Sequence, residues 1–374
     1  MPLWQNNIKK MEKQRFIISG GGTGGHIFPA ISIANAIKAK LPQAEILFVG
    51  AENRMEMQRV PAAGYRIVGL PICGFDRKHL LKNVKTLWNL LRSLRLARRI
   101  VKDFKPDAAI GVGGYASGPL LRAAASLGIP CYLQEQNSYA GLTNKWLASK
   151  AKRICVAYHG MEKFFPADKI VLTGNPVRQD LLKGASLKNE ALAHYAMTAD
   201  KPVLLVVGGS LGAGSINQAM LAHIDELEAA QVQVLWQTGK YYYDNIQTQL
   251  AGKTLKNVQV TQFVDRMDYA YAMADLVVSR AGASSISELC LLGKACVLVP
   301  SPNVAEDHQT KNAMALVNEQ AAVMLRDVEV KDKLVPTALQ LLKDEAALQA
   351  LRQHILRLAL PDSAEKIADI VIEG

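Results

Sequence analysis

Phe16-Ile17-Ile18-Ser19 runs into Gly20-Gly21-Gly22-Thr23-Gly24-Gly25-His26, and Val203-Leu204-Leu205-Val206-Val207 runs into Gly208-Gly209-Ser210-Leu211-Gly212-Ala213. Each is a short apolar run, a cluster of glycines and then a helical pattern. That is the sequence form of a turn that cradles phosphate. Glycine lets the backbone approach an anion, and the helix N-terminus behind it offers unpaired N–H donors and partial positive charge. One such turn suggests a nucleotide domain. Two, half a chain apart, suggest two α/β domains facing each other across one cleft.

The totals allow this. A chain of 374 residues exceeds one typical domain and suits two. With 49% hydrophobic and 21% charged residues, each half can bury a core, and disorder is excluded as the dominant state. The net charge of +11 favours anionic partners: nucleic acid, an acidic membrane surface or phosphorylated small molecules. Aromatic residues are sparse and not interleaved with arginine, which argues against nucleic acid. The five cysteines form no Cys-x-x-Cys pair and read as small buried residues in a reducing compartment. The histidines lack ligand spacing, so no metal is expected. Residues 1–14 form a polar, basic leader without a signal-peptide core, and no apolar stretch is long enough to span a bilayer. A cytoplasmic protein is expected.

Apolar runs without polar alternation predict strands covered on both faces. They fall at 15–19, 45–49, 66–70, 107–112, 130–134, 153–157 and 169–172, then at 203–207, 232–236, 257–261, 275–279, 295–299 and 321–325. Helical patterns between them imply right-handed crossovers and parallel sheets. The domains are expected at 1–178 and 179–356, with a helical tail at 357–374 that can cross back to the first.

Polar clusters follow several of these strands, at the sheet edge where open α/β folds bind ligands. Gly111-Val112-Gly113-Gly114-Tyr115 is either a close backbone passage or a tight turn. Gln134-Glu135-Gln136-Asn137 reads as partners for sugar hydroxyls or as a solvated loop. In Gly174-Asn175-Pro176-Val177-Arg178 the arginine can clamp a phosphate with its planar fork. Ser279-Arg280-Ala281-Gly282-Ala283-Ser284-Ser285-Ile286-Ser287-Glu288 opens a helix suited to phosphate or sugar oxygens. Glu288 there serves a ribose or merely the helix dipole. Asp307-His308-Gln309 can reach sugar hydroxyls. The Gly20-x-Gly22-x-x-Gly25 spacing also matches a dinucleotide fingerprint, with Glu52 as its acid, but that reading leaves the second turn unexplained.

His26 follows the first turn directly. The helix N-terminus disfavours the imidazolium, so the ring is expected to be neutral and able to act as a general base. The alternative is a structural hydrogen bond to a neighbouring loop. Residues 77–105 hold ten lysines or arginines against one acid, with Leu80, Val84, Leu87, Trp88, Leu91 and Leu94 at helical spacing. This basic amphipathic segment reads as a membrane-surface element carried by Phe75, Leu80, Lys82, Lys85, Trp88 and Arg92, or as a helix packed on a sheet.

Taken together, Gly-Gly-Thr-Gly-Gly-His (21–26), Gly-Val-Gly-Gly-Tyr-Ala-Ser-Gly-Pro (111–119), Glu-Gln-Asn (135–137), Ala-Gly-Leu-Thr-Asn-Lys (140–145), Gly-Asn-Pro-Val-Arg (174–178), Gly-Gly-Ser-x-Gly-Ala (208–213) and Ser-Arg-x-Gly-Ala (279–283) with Ser287-Glu288 resemble one family. It is the bacterial UDP-N-acetylglucosamine:lipid I N-acetylglucosaminyltransferase family, MurG, of peptidoglycan synthesis. The resemblance implies a GT-B glycosyltransferase: two Rossmann-like domains with parallel sheets facing across a cleft. It implies inverting transfer of GlcNAc from UDP-GlcNAc to the 4-hydroxyl of MurNAc in undecaprenyl-diphospho-MurNAc-pentapeptide, with no cofactor, and so a part in cell-wall growth, shape and division.

By the same resemblance, His26 is the base, and Thr23, Gly24 and Gly25 line the sugar and acceptor site. Gly113, Gly114, Tyr115 and Glu135 form the acceptor-side loop. Asn137 contacts GlcNAc, and Arg178 with Ser210 contact the diphosphate. The backbone at Val264 reads uracil. Ala283, Ser284, Ser285, Ile286, Ser287 and Glu288 hold the diphosphate, sugar and ribose, and Gln309 holds GlcNAc hydroxyls. The implied place is the cytoplasmic face of the plasma membrane, bound peripherally to its anionic surface and near other cell-wall synthesis proteins. Two positions depart from the family pattern: Gln134 where histidine is frequent, and His308 where glutamine is. The competing readings are a UDP-sugar epimerase, a transferase for another lipid, and a non-catalytic UDP-sugar sensor at the membrane.

Overall fold

The computed structural model describes residues 14–72, 83–177, 181, 187–209 and 211–374. The chain divides into two units, Met1–Val177 with Asp362–Gly374, and Arg178–Pro361.

The first unit is a parallel sheet of β1 (Arg15–Gly20), β2 (Glu45–Ala51), β3 (Arg66–Leu70), β4 (Ala108–Gly113), β5 (Cys131–Glu135), β6 (Arg153–Val156) and β7 (Ile170–Leu172), in the order β3-β2-β1-β4-β5-β6-β7. Helices α1 (Gly24–Lys40), α2 (Glu56–Ala62), α3 (Asn83–Phe104), α4 (Ser117–Ser126) and α5 (Leu142–Leu147) make the connections. Alternate residues of one strand feed opposite cores. Phe16 and Ile18 join Ile27, Ile33 and Ile37 on one face, whereas Ile17 joins Leu47, Leu120 and Leu133 on the other. Burial on both faces is why these strands are apolar without alternation.

The second unit repeats the scheme with β8 (Val203–Val207), β9 (Gln233–Gln237), β10 (Val258–Thr261), β11 (Leu276–Ser279), β12 (Cys296–Leu298) and β13 (Val323–Met324), all parallel and ordered β10-β9-β8-β11-β12-β13. Its helices are α6 (Lys188–His194), α7 (Gly214–Ala222), α8 (Ile224–Ala229), α9 (Tyr243–Leu250), α10 (Met267–Met273), α11 (Ala283–Leu291), α12 (His308–Val317), α13 (Val330–Lys343) and α14 (Glu345–Arg357). Trp236 is fully buried and donates from Nε1 to Asn217 Oδ1 at 2.9 Å. The polar edge of the largest core residue is thereby satisfied.

The chain returns to the first unit as α15 (Ser363–Glu373). Ile367 and Val371 enter the core beside α1, and Lys40 pairs with Asp369 at 2.7 Å. Each of those two apolar side chains contributes about 1.5–3 kcal/mol by burial, whereas the exposed ion pair adds little.

In both sheets the strand order reverses beside the first strand, between β1 and β4 and between β8 and β11. The crevice at such a reversal is where doubly wound sheets bind ligands. Each glycine turn and its partner motif, 20–26 with 111–115 and 208–213 with 279–283, follow those adjacent strands.

Candidate functional site

In the first unit the turn after β1 is held from within. Gly22 N donates to Glu56 Oε2 at 2.9 Å, and Ala51 N donates to Glu56 Oε1 at 3.0 Å. Glu56 is wholly buried in the first turn of α2. Gly50 and Gly21 leave it room; a Cβ on either would strike it. This corrects the phosphate-cradle reading of the first turn, because an internal carboxylate already occupies the Gly22 amide. It also corrects the dinucleotide reading: the acid beside this turn is Glu56, not Glu52, and it would repel a pyrophosphate.

The other end of the same peptide faces His26. The Gly21 carbonyl oxygen lies 3.1 Å from His26 Nδ1, and Thr23 Oγ1 lies 3.3 Å from that nitrogen. A carbonyl only accepts, so Nδ1 is the protonated nitrogen, and the neutral form of the ring then carries its lone pair on Nε2. Thr23 is exposed, and Gly24, Gly25 and His26 are half-buried.

Over this turn lies the pair Gly113-Gly114, with φ of +105° and +90°. A Cβ at Gly114 would strike the Gly21 carbonyl, and one at Gly113 would stand 2.7 Å from His26 Nε2. The glycines of the 111–115 motif therefore allow close packing on the histidine and its turn. Ser117 Oγ, between the Gly113 and Ser19 carbonyls at 2.9 and 3.1 Å, pins the loop. Tyr115, half-exposed, is the residue of this loop that reaches the surface.

The cluster after β5 differs from expectation. Gln134, Glu135 and Gln136 are buried, not solvated. Gln134 Nε2 donates to Asn175 Oδ1 at 2.9 Å, Asn175 Nδ2 to the Gln136 carbonyl at 3.0 Å, and Gln136 Nε2 to the Val112 carbonyl at 2.6 Å. Glu135 accepts from Gly141 N at 3.0 Å, Asn144 Nδ2 at 2.9 Å and Asn137 N at 3.1 Å. Burial pushes its carboxyl above the usual range, and these donors pull it back. Glu135 is thus a staple inside the unit and not an acceptor contact. Asn137, half-buried, is the member that reaches outward. The motifs at 111–119, 135–137, 140–145 and 174–178 owe much of their polarity to this shared network.

In the second unit, Gly208 and Gly209 (φ +89°) leave β8, and Gly212 N returns to the Gly209 carbonyl at 2.9 Å. Among the described residues no carboxylate accepts from the amides of Gly208, Gly209, Leu211 or Gly212. The turn is instead tied by Gln237, whose Nε2 donates to the Gly209 carbonyl at 2.9 Å and whose Oε1 accepts from Val264 N at 3.2 Å. The Val264 amide is thus engaged by Gln237, and its side chain is buried, so that only its backbone can meet a ligand. Ser210 and Arg178 lie outside the described residues.

At β11 the arginine is a brace. Arg280 Nη1 donates to Asp327 Oδ1 at 2.6 Å and to the carbonyls of Val299 and Pro300, and Nη2 donates to Ser215 Oγ at 3.0 Å. It ties α7, the end of β12 and the segment before α13 together. Gly282 caps α11, Ser287 Oγ donates to the Ala283 carbonyl, and Ser284 Oγ is buried with no hydrogen-bond partner among the described residues. Ser285 is half-buried. Ile286 is a core residue, so its side chain is not a ligand contact. Tyr271 OH donates to Glu288 Oε2 at 3.0 Å and fixes that carboxylate. Gln309 Oε1 accepts from Ser301 N at 2.8 Å and so holds the loop before α12, where Glu306 and Asp307 both take positive φ.

On α3 the residues turned inward are Thr86, Ser93, Ala97 and Val101, whereas Leu87, Trp88 and Leu91 are exposed beside Arg92 and Arg95. The apolar stripe that includes Trp88 is not packed on the sheet. Phe75, Leu80, Lys82 and the side chain of Lys85 lie outside the described residues. No helix among the described residues is long and apolar enough to cross a membrane, and none of their His, Cys, Asp and Glu side chains cluster as a metal site. The four described cysteines are buried, which pushes the thiols of Cys131, Cys155 and Cys290 up to about 12 and argues against a nucleophilic role.

Glu56, Gln237, Tyr271 and the bracing role of Arg280 were not read from the sequence. The signal for Glu56 was available only as an acid shortly after β2, where Glu52 competed with it.

Residues 16–156 match the glycosyltransferase family 28 N-terminal domain, and residues 203–367 its C-terminal domain. The UDP-N-acetylglucosamine–N-acetylmuramyl-(pentapeptide) pyrophosphoryl-undecaprenol N-acetylglucosamine transferase of Parabacteroides distasonis is 62% identical over 97% of this chain and 99% of that protein. The protein of the same name from Porphyromonas gingivalis is 56% identical over 97% of this chain and 96% of its own. The crystal structure of Acinetobacter baumannii MurG superposes with a TM-score of 0.76 at 29% identity, covering 96% of this chain and all of that one. A UDP-GlcNAc 2-epimerase from Neisseria meningitidis shares the fold, with a TM-score of 0.66 at 13% identity over 97% of this chain and all of its own.

Proposed function

The chain belongs to glycosyltransferase family 28, among the UDP-N-acetylglucosamine–N-acetylmuramyl-(pentapeptide) pyrophosphoryl-undecaprenol N-acetylglucosamine transferases, and from this we propose how its residues perform that transfer. GlcNAc moves from UDP-GlcNAc to the 4-hydroxyl of MurNAc in undecaprenyl-diphospho-MurNAc-pentapeptide, in one inverting displacement. The acceptor hydroxyl loses its proton to His26 Nε2 as its oxygen attacks the anomeric carbon, and the bond to the UDP oxygen breaks. The observation that carries this reading is the bond from His26 Nδ1 to the Gly21 carbonyl, which assigns the lone pair to Nε2.

The leaving diphosphate needs donors already in place. The amides of the 208–211 turn, the α11 N-terminus with Ser284 and Ser285, and the Ser210 and Arg178 side chains supply them. Glu288, held by Tyr271, takes the ribose hydroxyls. Thr23, Gly24, Gly25, Tyr115 and Asn137 border the acceptor and sugar, and Gln309 shapes the sugar side through Ser301. The exposed Leu87, Trp88 and Leu91, flanked by arginines, rest on an anionic membrane from its cytoplasmic side, where the acceptor's polyprenyl chain stays in lipid. That surface also brings the enzyme near other cell-wall synthesis proteins.

The test is GlcNAc transfer from labelled UDP-GlcNAc to a short-chain lipid I analogue. His26→Ala is expected to lower kcat by about 10²-fold or more, with UDP affinity unchanged. An unchanged kcat removes His26 from the role of base.

A further inference from the structure

The Gly21–Gly22 peptide is a single planar unit whose carbonyl and N–H point in opposite directions. Its N–H meets Glu56 Oε2 at 2.9 Å, and its carbonyl meets His26 Nδ1 at 3.1 Å. A peptide between two glycines has little steric preference for one orientation: Gly22 sits at φ +86°, in a region only glycine visits freely. If this peptide turned over, its carbonyl would face the Glu56 carboxylate and its N–H would face His26 Nδ1. The histidine would then have to present its lone pair at Nδ1 and its proton at Nε2, the reverse of what a base at Nε2 requires. The sequence alone therefore leaves the imidazole tautomer to a hinge that can flip.

We infer that Glu56 is a positioning residue: by accepting the Gly22 N–H it locks the Gly21 carbonyl onto His26 Nδ1 and so places the lone pair of the ring on Nε2. Three features fit this role better than general support of the loop. Glu56 is wholly buried, and both its oxygens are committed, Oε1 to Ala51 N and Oε2 to Gly22 N. Side chains are excluded at Gly21 and Gly50, where a Cβ would collide with Glu56, so the backbone is shaped around the carboxylate. Gly114 packs against the Gly21 peptide, where a Cβ would obstruct the carbonyl. The arrangement does what a carboxylate–histidine pair does elsewhere, fixing a ring through its other nitrogen, but with one peptide group interposed. The carboxylate's charge strengthens the carbonyl as an acceptor by polarising the peptide between them.

The consequence for catalysis rests on the reading of His26 as base; the consequence for the tautomer does not. Two variants of the full-length enzyme test them. Glu56→Gln keeps shape but offers one acceptor to two N–H donors, and its NH2 opposes the donor left over. Glu56→Leu offers none. Histidine-selective 15N NMR reads the tautomer without turnover. The wild type is expected to show a protonated Nδ1 at His26, and Glu56→Gln a mixture with protonated Nε2. In the transfer assay Glu56→Gln is expected to lower kcat about tenfold while the donor KM stays within about twofold, and Glu56→Leu to lower kcat further. In a His26→Ala background neither variant should lower the residual rate again, because the histidine through which they act is gone.

A Glu56→Gln protein that melts like the wild type and keeps a single His26 tautomer and full kcat overturns the inference. So does an additional loss of rate in the His26→Ala background, which marks Glu56 as mere scaffold. A shifted tautomer together with a fully active His26→Ala enzyme upholds the lock and rejects the base. Because Glu56→Gln replaces the side chain with one of equal size, the decision does not depend on whether Glu56→Leu folds.

Discussion

The turn after β1 and the turn after β8 share one recipe and hold opposite contents. Both follow the first strand of their unit, beside a reversal of strand order, and both lead through glycines into a helix. The first has an acid of its own: Glu56 occupies the Gly22 amide, and the peptide's other end is spent on His26. The second is tied by a neutral amide, Gln237, which contacts the Gly209 carbonyl and leaves its N–H groups without a carboxylate among the described residues. An anion placed on the first turn meets a like charge; on the second it meets donors and a helix N-terminus. Glycine patterning thus reports that a backbone is exposed to something, and the residue supplied from elsewhere in the fold decides what. On the proposed reading, one turn orients a proton acceptor and the other receives a leaving group.

The comparison can be broken at either turn. The larger effect is expected from Gly114→Ala. Its φ is +90°, and the added Cβ would press on the Gly21 carbonyl. Strain and overpacking together cost about 2–5 kcal/mol in the first unit. Displacing the Gly21 peptide is expected to lower kcat by about 10²-fold, the scale of a lost general base. Thermal melting and steady-state kinetics check both, and UDP affinity, which the proposed function assigns to the second turn, should not change. A smaller effect is expected from giving the second turn the acid it lacks. Leu211 is half-exposed on that turn, and Leu211→Asp is expected to weaken UDP binding about tenfold by like-charge repulsion partly screened by solvent. Calorimetry of UDP binding reads it; unaltered affinity means the diphosphate lies elsewhere.

How much of this was legible follows from where the information sits. Every expected strand is present, because burial on both faces forces runs such as Val203–Val207 to be apolar. The reversal beside the glycine turns could not be read, since strand order depends on pairings between distant segments. The helix starts around His26 and at Ala283 were legible as local patterns. What failed were roles settled by long-range partners. Glu135 and Gln136 looked like ligand contacts because they are polar, yet Gln136 donates to the Val112 carbonyl and Glu135 accepts from the Asn137 amide, both inside the unit. Arg280 looked like part of a ligand loop, and its guanidinium is consumed by Asp327, Ser215 and two carbonyls. Ile286 lay within a ligand-like run but faces the core, as one position in each helical turn must. Tyr271 and Gln237 carry no local signal; only the fold brings them to Glu288 and the Gly209 carbonyl.

A crystal structure of the enzyme with UDP-GlcNAc bound tests the division between the two turns most directly. The account predicts the pyrophosphate within hydrogen-bonding distance of the 208–211 amides and the start of α11, with Glu56 still on the Gly22 amide. A pyrophosphate seated on Gly22, with Glu56 displaced, would contradict it.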